Sequence, residues 1–218
     1  MSSSLTPDLL LRAYRLGLFP MAESRKSRVL HWLDPDTRGI LPLDGLHISR
    51  SLMKTLRGER FTVTANQVFN QVIAACAATR LDRTETWINH EIERLFNELS
   101  CLGFAYSVET WKSGELVGGL YGVSLGGAFF GESMFSTATD ASKVALAHLV
   151  ARLRLGGYTL LDTQFITDHL SSLGAIEVPR HTYHTMLAAA VERPARFPTS
   201  PDPTILMDEF WRIRKKVL

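Results

Sequence analysis

Three polar side chains stand in stretches that are otherwise apolar, and they are the best candidates for chemistry. Asp162 and Gln164 lie in the run Leu160–Phe165, and Glu132 lies near the end of Ala128–Met134. Residues two positions apart on a strand share a face, so Asp162 and Gln164 are predicted to point the same way. If the two strands are neighbours, the three side chains converge either on a reactive cleft or on a hydrogen-bond network that fixes strand register.

Other kinds of chemistry find little support in the sequence. The seven histidines lack metal-ligand spacing, and His181 and His184 are interpreted as helix-surface residues, so no metal site is predicted. Cys76 and Cys101 form neither a metal motif nor a disulfide framework and are predicted to be buried, reduced residues. Ser133 is not in a nucleophile elbow, and no Gly-rich phosphate loop of the Walker type is present.

Coenzyme A is disfavoured as a cofactor. Enzymes that use it hold its pyrophosphate on the backbone N–H groups of a glycine-rich turn that precedes a helix. The corresponding turn here, Phe135–Ala141, contains no glycine and places Asp140 where a phosphate would have to lie. The sequence therefore argues against coenzyme A.

The elements around the three polar residues predict an α+β fold. Apolar and polar residues alternate from Tyr106 to Trp111, and turns at Lys112–Gly114 and Gly126–Gly127 separate further strands, which predicts an antiparallel meander. Strands and helices then alternate, as in the mixed sheet of the N-acetyltransferase (GNAT) superfamily. The elements predicted after the first turn are strands Glu115–Leu125 and Ala128–Met134, a helix Ser142–Leu155 capped by Asp140, strand Tyr158–Phe165, a short helix ending at Gly174, strand Ile176–Val178 and a helix from about Thr182.

The chain is predicted to divide into a small N-terminal domain (residues 1–38), an acetyltransferase-like domain (39–198) and a C-terminal tail (199–218). Thr6 is predicted to cap a first helix that stops near Gly17. The remaining expectations are loops with short strands over Phe19–Leu43, helices over 66–79 and 89–102, and a linker over Pro194–Pro203.

The composition is that of a globular protein with a substantial core. Of the 218 residues, 45% are hydrophobic and 21% are charged. No apolar run approaches the roughly 20 residues that span a bilayer, and the first residues lack the basic segment and apolar core of a secretory signal. We therefore expect a cytoplasmic protein that has no membrane partner.

Positive charge is concentrated in the first part of the chain. The net charge is only +2, but residues 1–60 contain ten Lys or Arg against six Asp or Glu. One cluster comprises Arg25, Lys26 and Arg28, and another follows at near-helical spacing over 50–60. Such clusters either neutralise the phosphates of a nucleic acid, with salt-dependent binding, or form a solvated helix face.

Several sequence blocks occur in a familiar order. They are Gly17–Pro20, His31–Arg38, His47–Ser51, Thr86–Ile88, Glu115–Val123, Phe130–Ser136, Ala141–Lys143, Leu161–Gln164 and Ser171–Arg180. No single block would suffice, but together, from about residue 5 to residue 197, the chain resembles the leucyl/phenylalanyl-tRNA–protein transferases.

The resemblance implies a bacterial cytoplasmic enzyme that needs no ATP, metal or coenzyme A, because the ester of a charged tRNA is already activated. It implies transfer of leucine, phenylalanine or sometimes methionine from aminoacyl-tRNA to proteins that begin with Arg or Lys. The product would carry an N-degron, a bulky N-terminal residue that marks it for proteolysis. A monomer is the default expectation. The alternatives are a coenzyme-A-dependent N-acyltransferase and a non-catalytic tRNA or N-degron binding protein.

The resemblance also implies roles for individual residues. Asp162 and Gln164 match the family's catalytic pair, Glu132 matches an acid near the aminoacyl group, and Trp87 matches an aromatic residue that helps hold the terminal adenosine. Met21 stands where many relatives have a Trp, which puts a stacking energy of about 1–3 kcal/mol in question. The apolar pocket for the leucyl or phenylalanyl side chain maps to Leu120, Phe129, Met134 and Leu161.

These roles give a hypothesis for the chemistry, in which an amine attacks the ester of the charged tRNA. Gln164 would position the α-amine of the acceptor, while Asp162 would orient Gln164 and support the developing positive charge. Glu132 would hydrogen-bond the α-ammonium of the aminoacyl group.

Overall fold

The computed structural model describes residues 5–58, 60–79 and 84–217. Its first helix begins where predicted, because the Thr6 hydroxyl accepts a hydrogen bond from the Leu9 N–H at 3.3 Å.

The helices are α1 (Pro7–Arg15), α2 (Arg50–Arg57), α3 (Phe69–Ala77), α4 (His90–Cys101), α5 (Ala141–Leu155), α6 (Asp168–Ser172), α7 (Arg180–Val191) and α8 (Pro203–Val217). The strands are β1 (Phe19–Ala22), β2 (Leu30–Leu33), β3 (Thr37–Ile40), β4 (Thr62–Ala65), β5 (Ala105–Lys112), β6 (Glu115–Leu125), β7 (Ala128–Ser136), β8 (Leu160–Gln164) and β9 (Ile176–Pro179).

Within the described residues, seven strands form one mixed sheet in the order β4-β5-β6-β7-β8-β3-β9. The pairs β4–β5, β5–β6 and β6–β7 are antiparallel, whereas β7 and β8 are paired in parallel. Strands β1 and β2 form a separate antiparallel pair. The α+β fold with a mixed sheet is confirmed, and the strands that carry Glu132 and Asp162 are neighbours.

The position of β3 was not predicted. This strand lies between β8 and β9 and is antiparallel to both. It also crosses the predicted domain boundary at residue 38, since its residues 37–40 belong to the large sheet. The N-terminal segment thus contributes a strand to the sheet that holds the candidate site, and the division of the chain into domains stays a proposal.

Helices cover both faces of the sheet. One apolar cluster includes residues from α1, α3, α4 and α7, and the other includes residues from α2, α5 and α8. The segment predicted to be a tail contains α8, whose side chains Leu206, Phe210 and Ile213 are buried in the second cluster. Helices α5 and α8 each have 15 residues, and no helix in the described ranges is long and apolar enough to cross a bilayer.

Two local predictions were wrong. Asp140 precedes α5 as expected, but its backbone is left-handed (φ +71°) and its carboxylate makes no cap hydrogen bond. An N-cap residue normally has an extended backbone, which directs its side chain to the first-turn N–H groups; Asp140 instead pairs with Lys143 at 3.3 Å. Cys101 is exposed at the end of α4, and only Cys76 of the two cysteines is buried.

The burial of α8 leads to a test of its structural role. Phe210→Ala removes a side chain that is 1% exposed, and the lost burial and the cavity left behind should lower the free energy of unfolding by about 3–5 kcal/mol. Urea unfolding measures this change. Trp211→Ala, at a partly exposed neighbouring position, is the control and should cost clearly less. Equal, small effects of the two substitutions would mean that α8 does not contribute to the core.

Candidate active site

Two β-bulges lie at the polar residues that the sequence singled out. In the pairing of β6 with β7, Tyr121 is opposite Ser133 and Gly122 is opposite Gly131, which leaves Glu132 without a partner. An extra residue of this kind twists the strand and redirects a side chain. The bulge therefore explains why an acidic side chain in an apolar strand can turn towards a cavity.

The second bulge is in the pairing of β3 with β8. Gly39 is opposite Gln164 and Ile40 is opposite Asp162, so Thr163 is the extra residue. Gln164 follows it in the left-handed backbone region, with φ of +61°. For a residue other than glycine, this backbone conformation costs on the order of 1–3 kcal/mol and persists only where the surroundings hold it.

The carboxylate of Asp162 supplies that support. Asp162 is fully buried, and its Oδ1 accepts the Gln164 backbone N–H at 2.8 Å. The guanidinium of Arg38 donates to both oxygens, from Nε to Oδ1 at 2.9 Å and from Nη2 to Oδ2 at 2.6 Å. The Tyr183 hydroxyl donates to Oδ2 at 2.8 Å. Asp162 is thus a fully hydrogen-bonded partner of Arg38 and fixes the backbone of Gln164.

Arg38 was not anticipated as a site residue. Its guanidinium lies 4.5 Å from the ring centroid of Phe19 and 4.4 Å from that of Tyr183, and its Nη1 donates to the Gly17 carbonyl at 2.9 Å. The cation is therefore held between two aromatic rings as well as by Asp162. An arginine in a short stretch of the chain gave no periodic signal that could have revealed its burial.

Glu132 is held by two donors that share one oxygen. The Tyr14 hydroxyl donates to Oε1 at 2.7 Å, and Nε2 of Gln164 donates to the same atom at 3.0 Å. The other oxygen, Oε2, is buried and has no hydrogen-bond partner in the described structure. Burial raises the pKa of Glu132 to about 8, although the hydrogen bonds from Tyr14 and Gln164 lower it.

A cavity of about 300 Å³ opens beside these groups. Parallel pairing of β7 with β8 extends only from Ala128 to Phe130 on β7, and the cavity lies beyond that point, where the bulges begin. Most of its exposed wall is apolar. Its lining includes Met21, Trp87, Leu120, Tyr121, Glu132, Met134, Leu146, Leu149, Leu161, Thr163 and Gln164.

The cavity brings together most of the predicted site residues but not all of them. Met21, Trp87, Leu120, Met134 and Leu161 lie in the wall with Glu132 and Gln164. The lining does not include Asp162, which lies behind Gln164 against Arg38. Nor does it include Phe129, whose ring instead packs 5.8 Å from that of Phe197 and 6.2 Å from that of Tyr158.

Three buried polar atoms around this cavity lack a hydrogen-bond partner within the described residues: Oε2 of Glu132, the hydroxyl oxygen of Tyr121 and Oγ1 of Thr163. Buried polar groups in folded proteins are nearly always paired, so such a concentration indicates that a polar ligand group completes them. The arrangement fits a small molecule that has an apolar chain for the wall and an ammonium group for Glu132. Tyr121 and Thr163 were not predicted, because both depend on strand register at a bulge.

Two family models match the chain. One, described as leucyl/phenylalanyl-tRNA protein transferase, matches residues 40–188, and the other, described as the N-terminal domain of that protein, matches residues 3–36. A leucyl/phenylalanyl-tRNA–protein transferase from Rhodopseudomonas palustris is 58% identical over 200 residues, covering 92% of this chain and 89% of the relative. One from Paramagnetospirillum magneticum is 59% identical over 193 residues, covering 88% and 92%. The chain belongs to the leucyl/phenylalanyl-tRNA–protein transferase family. The resemblance stated from the sequence blocks is confirmed.

Solved structures of more distant proteins resemble part of the chain. The structure of L-PGS from Bacillus licheniformis matches with a TM-score of 0.39 and 14% identity over 71% of this chain and 51% of that one. A GCN5-related N-acetyltransferase-like protein from Streptococcus suis matches with a TM-score of 0.34 and 16% identity over 65% and 61%. These TM-scores and identities are too low to support an argument about the fold, which is described from the sheet topology given above.

The raised pKa of Glu132 leads to a testable dependence of stability on pH. The folded protein keeps the Glu132 proton up to about pH 8, whereas in the unfolded chain the same carboxyl has its ordinary pKa of 4.5 and loses the proton. The free energy of unfolding should therefore fall as the pH rises between these two values. The slope should reach at most roughly 1.4 kcal/mol per pH unit. Burial lowers the pKa of His148 to about 3, which acts in the opposite direction at acidic pH, so the clearest window is pH 6.5 to 8.

Urea unfolding of the parent protein and of Glu132→Gln across that window measures the contribution. The glutamine keeps an acceptor oxygen for Tyr14 and Gln164 but cannot titrate, so the falling slope should disappear. Glu177→Gln changes an exposed carboxylate and should reproduce the parent slope. A slope that persists in Glu132→Gln would show that another group is responsible.

Proposed function

We propose that this protein transfers leucine or phenylalanine, and also methionine, from aminoacyl-tRNA to the α-amine of an acceptor protein that begins with Arg or Lys. The observation that carries the proposal is the apolar cavity in which Glu132 Oε2 is buried without a hydrogen-bond partner among the described residues. In a member of this transferase family, such a cavity suits an aminoacyl group. The new N-terminal residue would act as an N-degron.

The donor is proposed to bind with its side chain against Leu120, Met134 and Leu161. Its α-ammonium would then lie at Glu132 Oε2, where its positive charge favours the ionised form of the carboxyl, and it would donate the missing hydrogen bond to that oxygen. Trp87 and Met21, which also belong to the cavity wall, would hold the terminal adenosine. Only one of these two is aromatic, so stacking on the base comes from Trp87, and Met21 contributes apolar contact.

The reaction joins two bound groups without an activating cofactor. The acceptor amine attacks the ester carbonyl, a C–N bond forms and the C–O bond to the ribose breaks. The proton that the amine loses ends on the ribose oxygen, which leaves as a hydroxyl group. Gln164 donates its Nε2–H to Glu132, so its Oε1 can accept an N–H of the attacking amine. Positioning alone can supply roughly 7–11 kcal/mol of barrier reduction, so a strong base is not required.

Asp162 is proposed to act through Gln164. Its hydrogen bond to the Gln164 N–H supports the orienting part of the hypothesis. Its negative charge, however, is matched at close range by Arg38, with Nη2 2.6 Å from Oδ2. The idea that Asp162 also stabilises developing positive charge is therefore disfavoured, and we assign it as a positioning residue.

Family membership also motivates the remaining proposals. Acceptors that begin with Arg or Lys follow from the resemblance, and a cytoplasmic location follows from the need for charged tRNA. A monomer is proposed because the described residues of one chain supply all of the groups assigned here to the donor and to the acceptor amine. A bound coenzyme A is not proposed, because the turn at 135–141 has no glycine.

Transfer of labelled leucine from Leu-tRNA to a peptide that begins with Arg tests the function directly. The parent protein should form the peptide bond, and acetyl-coenzyme A should not serve as a donor. Gln164→Ala should reduce turnover about 100-fold, because the amine loses its positioning contact, while the Kd for tRNA stays within twofold. Glu177→Gln is the control. Binding of tRNA without any transfer would favour the non-catalytic alternative.

The shape of the cavity leads to a second prediction, on donor choice. A valyl group lacks a methylene and branches nearer the ammonium, so it should lose about 1–3 kcal/mol of binding to the wall of Leu120, Met134 and Leu161. The ratio of kcat/KM for leucyl over valyl donors should accordingly be about 10 to 200. Equal use of both donors would mean that the cavity does not select the side chain.

A further inference from the structure

A second hollow, which we call the basic groove, lies beside the start of α4. Its volume is about 750 Å³, and Arg25, Lys26, Ser27, Arg28, Trp32 and His90 contribute to its lining. Four of these residues belong to the connection between β1 and β2. This connection carries the first of the two basic clusters seen in the sequence.

The three cations of this connection have different roles. Arg25 is structural, because it donates to the Ile88 carbonyl at 2.8 Å and pairs with Glu93 at 2.5 Å. Lys26 and Arg28 are exposed, and neither has an ion pair or a side-chain hydrogen bond with any residue of 5–58, 60–79 or 84–217. Arg25 therefore anchors a loop that presents two uncompensated positive charges.

The acidic residue in the lining does not cancel these charges. Glu91 lies at the groove, but its carboxylate is paired with Arg94 at 2.6 Å. Trp32, a residue that is 37% exposed, adds an aromatic face to the same groove. Proteins bind single-stranded nucleic acids with this combination, because the cations neutralise phosphates and the indole stacks on a base.

The groove and the cavity share a wall. Trp87 lines the cavity and Asn89 lines the groove, and because only Ile88 lies between them, their Cα atoms are at most about 7.6 Å apart. The Ala22 N–H donates to the Trp87 carbonyl at 3.3 Å, which joins β1 to this wall. A chain that leaves the cavity past Trp87 and Met21 therefore has the groove within a few ångströms of its exit.

We propose that the basic groove binds the 3′-terminal single-stranded nucleotides of the donor tRNA that precede the aminoacylated adenosine. Lys26 and Arg28 neutralise their phosphates, and Trp32 stacks on a base. This inference rests on the proposed function, which places the aminoacyl-adenosine in the neighbouring cavity. An acidic segment of the acceptor protein would use the same charges but would leave the indole without a role.

The test compares two donors that differ only in the nucleotides that would enter the groove: Leu-tRNA and leucine esterified to adenosine alone. For Lys26→Ala/Arg28→Ala, the apparent Kd for tRNA should rise roughly tenfold or more at 0.1 M salt. The slope of log Kd against log salt concentration should become shallower by between about one and two. Transfer from the adenosine ester should keep its kcat/KM within twofold.

A matched control removes the same charge elsewhere. Lys112→Ala/Arg193→Ala changes two exposed cations that line neither hollow, and it should leave both donors and the salt slope unchanged. Trp32→Ala should weaken tRNA binding, whereas Trp32→Phe keeps an aromatic face and should restore most of it.

Three results would overturn the inference. The first is an equal loss on both donors, which would mean that the loop only supports the cavity. The second is an unchanged affinity and salt slope for tRNA. The third is a higher KM for the acceptor protein alone, which would assign the groove to an acidic acceptor. If the parent protein uses neither donor, the proposed function fails, and the salt slope for uncharged tRNA still tests the groove.

Discussion

The buried ion pair between Arg38 and Asp162 joins segments of the chain that are far apart in sequence. Arg38 comes from β3, Asp162 from β8, and Tyr183 of α7 donates to the same carboxylate. Loss of one partner from a buried pair costs about 3–5 kcal/mol, because the other charge is left uncompensated. The placement of β3, the packing of α7 and the backbone of Gln164 all depend on this interaction. It is therefore the constraint on which the geometry of the cavity rests.

The two bulges convert a regular sheet into a site. Without them, Glu132 and Thr163 would each have a partner on the neighbouring strand, and their side chains would follow the alternation of the sheet. The sheet accepts the bulge at Glu132 because the residue opposite Gly131 is Gly122, where a Cβ atom would lie 2.2 Å from the Phe130 carbonyl oxygen. The geometry of the site thus depends on a glycine that does not itself line the cavity.

Much of the fold could be read from the sequence because its signals are local. The cap at Thr6, the meander and the amphipathic helices follow from periodicity and turn residues, and the polar residues in apolar strands identified Glu132, Asp162 and Gln164. The insertion of β3, the bulges and the burial of Arg38 could not be read in this way. They depend on pairing between distant segments, for which a single sequence contains no periodic signal.

Sequence similarity to relatives supplied what the physical patterns left open. The pattern alone allowed either a reactive cleft or a structural network around Asp162, and the structure contains features of both. Asp162 is embedded in a fully paired network with Arg38 and Tyr183, whereas Glu132 has an unpaired oxygen at the cavity. The polar residues of one cluster thus have two different roles: some hold the structure together, and others face the cavity.

The place of β3 in the sheet affects how the chain can fold during its synthesis. Arg38 precedes Asp162 by 124 residues, and at roughly 5–20 residues per second a ribosome needs on the order of ten seconds to make the intervening segment. Both strands that flank β3 come from the last third of the chain. Until they emerge, the edges of β3 are unpaired and open to association with other chains, so the sheet is completed only near the end of translation.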